Sequence, residues 1–232
     1  MSRYIASVSF GKDSLAMLLK ILEFNMPLDE VVFYDTGMEF QCIYSIRNKI
    51  AKELQSRGIQ YTELKPDKPF IYTMAEKPVN GKNGFHYGYS WCGGRCRWGT
   101  TEKLKKLDKY CKDSTQYIGI AYDEPKRLER AKSLGKLTPL SDLKMTEKDC
   151  LEYCHAKGYY WNEDGVELYS ILDRVSCWCC ANKNLKELRN YYKYLPTYWS
   201  GLLMLQGRLQ RPFKKDKTIG DLERMFKNET PA

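Results

Sequence analysis

The sequence predicts an α/β fold: one doubly wound, mostly parallel sheet, with a Cys-rich loop and a C-terminal helical appendage. Three observations carry this. Short apolar runs of strand length alternate with helix-period segments through the first half of the chain. The resulting β-α-β-α-β order requires a parallel sheet with right-handed crossovers. The 232 residues, 43% of them hydrophobic, suffice for one well-buried α/β domain with a small appendage and fall short of two full domains.

The first strand begins at Arg3 and ends in the turn Ser9-Phe-Gly-Lys-Asp-Ser14, which opens directly onto a helix with apolar residues at Leu15, Leu18, Leu19 and Leu22. Val31 to Tyr34 form a second strand. Ile43, Ile46, Ile50 and Leu54 mark a second helix that Gly58 stops, and Gln60 to Leu64 form a third strand. From Pro66 to Trp98 the periodicity fails, and the Gly- and aromatic-rich stretch Asn80 to Arg95 reads as a long irregular loop. Such a loop in a compact domain is usually functional, and this one is expected to cover the ligand crevice. A helix over 101–111, a fourth strand over 116–120 and a charged helix over 125–133 follow. Thr146 and Asp149 then form a capping-box start to a helix that ends at Gly158. Beyond Tyr169 to Leu172 lie a cysteine cluster, helices over 184–194 and 198–206, a basic linker containing Pro212, and a short helix over 218–226. Residues 1–176 are read as a nucleotide-binding α/β domain with a Cys-containing lid, and 177–232 as a Cys-rich helical segment packed on it.

The chemistry starts at the first turn. Small residues at Ser9, Gly11 and Ser14 let backbone N–H groups approach an anion, and the following helix N-terminus adds positive potential. Lys12 supplies a point charge to the same phosphates. The spacing excludes a Walker A loop, which places four residues between its first glycine and Gly-Lys-Ser/Thr. Asp35-Thr36-Gly37 ends the second strand, where the crevice of a doubly wound sheet brings a carboxylate and a hydroxyl within reach of a nucleotide.

The turn resembles the PP-loop, SGGxDS, of the ATP pyrophosphatase and 3'-phosphoadenylylsulfate (PAPS) reductase superfamily. Ser9, Gly11, Asp13 and Ser14 match it, and Phe10 stands where many members have glycine. The segment Asp35-Thr-Gly-Met-Glu-Phe40 resembles the family's DTGxE(F)P, with Gln41 in place of the proline. Gly119 to Arg130, Pro139-Leu140 and Thr146 to Asp149 resemble GxRxxES…R, PL and WTxxDV in that order. Ala121 replaces one phosphate-contacting arginine, a role that Arg127 and Arg130 are placed to take over. The resemblance covers about residues 3 to 160. It implies an adenine nucleotide alpha hydrolase-like fold, with a nucleotide held by Ser9, Phe10, Gly11, Lys12, Asp13, Ser14, Asp35, Thr36, Gly37, Gly119, Arg127 and Arg130. Lys12, Asp13 and Asp35 are the expected catalytic residues.

Nine cysteines without an apolar leader argue against a disulfide framework and for metal or thiol chemistry in a reducing compartment. Cys92-x-x-x-Cys96 and Cys177-Trp-Cys179-Cys180 are two closely spaced sets that the fold can bring together into one four-thiolate site. The expected ligands are Cys92, Cys96, Cys177 and Cys180, with Cys179 the alternate. Spacing alone leaves a [4Fe-4S] cluster and structural Zn²⁺ both open. The resemblance favours the cluster, because assimilatory adenylylsulfate reductases hold one on two similarly separated pairs. Cys42, Cys111, Cys150 and Cys154 read as structural.

No apolar run approaches eighteen residues, so no membrane partner and a cytoplasmic location are expected. The formal net charge of +9 suits a polyphosphate substrate or a nucleic acid. The expected function is an enzyme that binds ATP or a related adenine nucleotide with Mg²⁺ and adenylates an acceptor, releasing pyrophosphate, in the manner of tRNA or DNA thiolation. Lys12 and the turn amides would neutralise charge developing on the leaving group. A sulfur- or electron-donor protein is an expected partner. The alternative enzyme is a reductase of PAPS or adenylylsulfate. Against it, no cysteine follows Cys180 in this sequence, so the family's C-terminal Glu-Cys-Gly-Leu/Ile-His nucleophile motif is not found. The alternative of another class is a non-catalytic nucleotide or nucleic-acid-binding module.

Overall fold

The computed structural model describes residues 3–82 and 84–229, with only the backbone of Trp98. Along the chain it comprises β1 (Arg3–Val8), α1 (Lys12–Glu23), β2 (Glu30–Tyr34), α2 (Gln41–Ser56) and β3 (Gln60–Leu64). A π-helical turn (Tyr72–Glu76), the strands β4 (Pro78–Gly81) and β5 (Gly84–Tyr87) and a second π-helical turn (Arg97–Glu102) come next. Then follow α3 (Lys103–Tyr110), β6 (Ser114–Ile118), α4 (Pro125–Ser133), α5 (Pro139–Asp142) and α6 (Glu147–Ala156). The last elements are β7 (Asn162–Glu163), β8 (Val166–Glu167), α7 (Leu168–Ile171), α8 (Leu185–Tyr194), α9 (Pro196–Arg208) and α10 (Ile219–Glu229).

The chain divides into two compact units. The first comprises residues 3–35, Gln41–Lys65 and Lys103–Trp161. Its sheet has the order β3-β2-β1-β6, and all three pairings are parallel, as expected. The chain steps outward from β1 to β3 and then returns to the far side of β1, so the strand order reverses between β1 and β6. That reversal is where a doubly wound sheet opens a crevice at its strand C-termini. β2 is buried along its whole length. Even Glu30 is fully buried, its charge met by Arg3 at 3.4 Å and the Tyr110 hydroxyl at 2.7 Å. α3 lays Leu107 and Tyr110 against Ile5, Val32 and Cys111, and α4 packs Leu128 and Ala131 on Ile120. α1 is buried on most of its circumference because α5 and α6 also pack on it.

The second unit comprises Thr36–Phe40, Pro66–Glu102 and residues 162–229. Its core is aromatic: Phe40 meets Tyr198 at 4.7 Å, Trp199 meets Phe226 at 5.9 Å, and Trp91 meets Phe213 at 4.7 Å. Here the structure departs from the irregular loop expected over 66–98, because β4 and β5 pair as an antiparallel hairpin. Backbone bonds and glycines build it rather than alternating apolar residues. Gly84 turns at φ +107°, and Gly88, at φ +64°, stands so close to Met74 that a Cβ would meet its carbonyl oxygen at 2.2 Å.

Candidate functional site

In the first unit the turn after β1 is locked by its own side chains. Ser14 Oγ accepts from the Ser9 amide at 3.1 Å and donates to the Gly11 carbonyl at 3.1 Å. Gly11 is the extended N-cap of α1, and its carbonyl accepts from the Leu15 amide at 2.9 Å. Phe10 occupies the left-handed region at φ +59°, where a non-glycine residue costs about 1–2 kcal/mol. Its fully buried ring packs edge-on against Phe33 at 5.1 Å, and its carbonyl accepts from the Trp161 indole at 2.8 Å. Burial and that hydrogen bond hold the backbone of this phenylalanine in its strained conformation.

Gly119, after β6, completes the crevice. A Cβ there would meet Ser14 Cα at 2.6 Å and Ser14 N at 2.8 Å, so the backbone after β6 passes directly over the start of α1. Lys12, only 8% exposed, is held between Asp13 Oδ1 at 2.8 Å and Glu147 Oε2 at 2.6 Å. Burial opposes its charge, and hydrogen bonds and attraction from the two carboxylates outweigh that, so its pKa is raised. Burial raises the pKa of Asp13 against the pull of Lys12. Asp35 follows β2, adjacent to the end of β1, and accepts from the Tyr44 hydroxyl at 2.8 Å. Sequence reading missed Glu147 and Trp161, which act on the turn from 135 and 151 residues away and leave no local signal. Arg127 and Arg130 line a groove of about 240 Å³ with Ile118, Ile120 and Lys136, and none of Ser9 to Ser14 borders it. Arg127 also pairs with Glu124. Cys150 and Cys154 are fully buried, and burial pushes the Cys154 thiol up to about 12, as suits structural cysteines.

In the second unit Cys92, Cys96, Cys177, Cys179 and Cys180 line one cavity of about 120 Å³, together with Phe70, Met74 and Trp91. Both sets of predicted ligands thus come to one place. The Cys96 sulfur accepts from the Gly99 amide at 3.3 Å. A Cβ on Gly99 would lie 3.5 Å from the Cys96 sulfur and 3.9 Å from that of Cys177, so the absence of a side chain leaves space between one thiol of each pair. Thr36 Oγ1 is 3.6 Å and Glu39 Oε1 3.9 Å from the Cys177 sulfur, which brings Thr36 of the Asp-Thr-Gly segment to the cysteines. Gly37 turns at φ +75° beside it. Cys179 is the most buried of the five, and burial raises its pKa well above the ordinary thiol value.

The surroundings suit an anionic thiolate centre. Lys183 is 3% exposed, and its ammonium has no hydrogen-bond partner among the described residues. Burial lowers its pKa, and the Cys180, Glu187 and Cys177 charges oppose that. Lys214 donates to the carbonyls of Ala181 and Lys183 on the same loop. Among the described residues no three His, Cys, Asp or Glu side chains converge on one point as they would around a single ion. The cysteines border a space of about 120 Å³. Five soft donors and a missing Cβ between two of them are what a thiolate-held metal group would require.

A family model for the phosphoadenosine phosphosulfate reductase domain matches residues 3–163. The uncharacterized protein MJ0066 of Methanocaldococcus jannaschii is 24% identical over 210 residues, covering 84% of this chain and 39% of that protein. The chain therefore spans about two fifths of the length of that relative. Among solved structures, the U34-tRNA thiolase NcsA from Methanococcus maripaludis, with its [4Fe-4S] cluster, aligns at 13% identity and a TM-score of 0.46. That alignment covers 98% of this chain and 72% of the other. No helix of the described residues is long and apolar enough to cross a membrane.

Proposed function

We propose that this chain, which belongs to the phosphoadenosine phosphosulfate reductase domain family, binds ATP or a close adenine nucleotide on Ser9 to Ser14 and uses it to drive sulfur transfer. The observation that carries this reading is the turn at the reversal of strand order, closed by Gly119 and holding a buried Lys12 between two carboxylates. In the reaction an acceptor oxygen attacks the α-phosphorus, the P–O bond to pyrophosphate breaks, and pyrophosphate leaves with Mg²⁺. A hydrosulfide-class nucleophile then attacks the activated carbon, and its C–O bond breaks to release AMP. The sequence balances without an oxidant. Lys12 and the amides of the turn stabilise charge on the phosphates, Asp13 and Glu147 orient the lysine, and Asp35 faces the nucleotide from the end of β2.

Cys92, Cys96, Cys177 and Cys180 are the proposed ligands of a [4Fe-4S] cluster, which when bound would supply redox-active, sulfide-bearing iron. Glu39 and Thr36 contact the Cys177 thiol and hold it in place. The acceptor class is a nucleic acid, as the +9 charge favours. The test is pyrophosphate release from ATP with tRNA or DNA acceptors by anaerobically purified protein, with iron, sulfide and zinc measured on the same sample. Release that depends on acceptor and is lost in Lys12→Ala supports the reading. Reduction of PAPS or adenylylsulfate without pyrophosphate release from ATP refutes it.

A further inference from the structure

From Lys77 to Arg97 the chain carries four cations, four aromatic residues and no Asp or Glu. The structure folds this stretch into the β4–β5 hairpin and the loop that supplies Cys92 and Cys96 to the cavity. On β5, Phe85 and Tyr87 project from one face and remain 59% and 60% exposed, their rings 5.1 Å apart and edge to face. The residues opposite them, Asn80 and Pro78, are exposed as well, so the whole face is open. Large aromatics normally gain from burial. Two left outward on a short hairpin form a surface awaiting a flat apolar partner.

The hairpin base is fixed. The Gly88 amide donates to the Lys77 carbonyl at 2.7 Å and the Ser90 amide to the Met74 carbonyl at 2.8 Å. Trp91 anchors the next step through its indole to Gln206 at 3.1 Å. Lys77 and Arg97 sit over the Tyr89 ring at 5.6 Å and 4.8 Å, so two of the four cations of the stretch gather at one ring.

We infer that this hairpin is a stacking platform for unpaired nucleotides of an RNA, which it holds against the loop that carries Cys92 and Cys96. Aromatic faces stack on any base, and neighbouring cations meet the phosphates. With no Asp or Glu of its own, the stretch offers neither a repelling charge. RNA is favoured over duplex DNA because recognition of RNA targets loops whose bases are already unstacked, whereas bases within a duplex must first be flipped out. The inference rests on the nucleic-acid acceptor proposed above and adds where that acceptor is held.

The experiment measures binding of the full chain, by fluorescence anisotropy, to three probes: an RNA stem-loop, a fully paired RNA duplex, and single-stranded DNA of the loop sequence. The stem-loop should bind most tightly. Phe85→Ala and Tyr87→Ala should each weaken it about tenfold, Phe85→Trp should retain it, and Lys82→Ala should flatten the salt dependence. Equal affinity for the duplex, preference for the DNA strand, or stem-loop binding by both alanine variants within twofold of the parent overturns the inference. In that last case RNA binding by the parent leaves the acceptor class standing. If the parent binds none of the probes, that class falls too. Thermal unfolding of each variant, expected to match the parent because both rings are exposed, separates loss of binding from loss of fold.

Discussion

Replacing Gly119 by alanine tests the geometry of the nucleotide turn more directly than removing any polar group. The added Cβ would meet Ser14 Cα at 2.6 Å, Ser14 N at 2.8 Å and Asp13 C at 2.9 Å, all backbone atoms with no flexible side chain to swing aside. Either β6 or the start of α1 must shift by several tenths of an ångström. Overpacking of this kind costs about 1–3 kcal/mol. In a chain of this size each kcal/mol lowers the melting temperature by about 2–4 °C, so a fall of roughly 2–12 °C is expected by calorimetry. The shift also moves the amides meant to face the phosphates, and a misplacement approaching 1 Å is worth about 100-fold, so ATP affinity should fall by tenfold or more. Gly207→Ala is the control, because nothing lies within 4 Å of its Cβ in α9 and alanine is the better helix former. It should be neutral or stabilising. A Gly119→Ala protein that melts with the parent and binds ATP equally well would refute the placement of the turn.

Cys92→Ser or Cys177→Ser should abolish stoichiometric metal in anaerobic preparations while Cys42→Ser retains it; metal analysis that shows no difference refutes the ligand set. Lys12→Ala leaves Asp13 and Glu147 facing each other without their cation, and calorimetry should find ATP binding weakened at least tenfold. Trp161→Phe removes the donor to the buried Phe10 carbonyl and should destabilise by about 1–3 kcal/mol in chemical denaturation. Hydrogen bonds from the Thr218 hydroxyl and backbone, then from Arg224, hold the Asp221 carboxyl down to about 2. Its unfolded value is about 3.9. A depressed folded pKa gives stability that is present above the unfolded value and lost as pH falls through the folded one. The start of α10 should therefore loosen between about pH 4 and pH 2, and Asp221→Asn should flatten that part of the acid-unfolding curve.

The parallel sheet was legible because its strands are buried runs such as Val31 to Tyr34, and the start of α6 because Thr146 and Asp149 form the reciprocal capping box their spacing announces. That Cys92 and Cys96 would lie near the cluster at Cys177 was readable because thiols in Gly-rich or Trp-flanked loops are poor core material, and all of them border one cavity. The hairpin was not legible, since the alternation within Pro78 to Tyr87 is confined to Phe85 and Tyr87, too short a run to read as a strand pair, and the backbone ladder defines the rest. π-Helical turns carry no side-chain period to detect. β6 begins two residues before the expected 116, because Ser114 and Thr115 pair with Arg3 and Tyr4 without apolar character of their own. Lys183 was invisible for a different reason. A lysine in a basic sequence reads as a solvated charge, and only the fold reveals that Phe40 and Tyr191 enclose it at 5.9 Å and 5.0 Å.

The division of the chain has a consequence for its synthesis. Residues 36–40 and 66–102 belong to the second unit although they are translated before Lys103–Trp161 of the first, and the polypeptide passes between the units five times. Stopping the chain after Trp161 would complete the parallel sheet. It would also strand Cys92 and Cys96 without Cys177, Cys179 and Cys180, and Phe40 without Tyr191 and Tyr198. The lining of the cysteine cavity is therefore complete only once Cys177 to Asn182 have been translated.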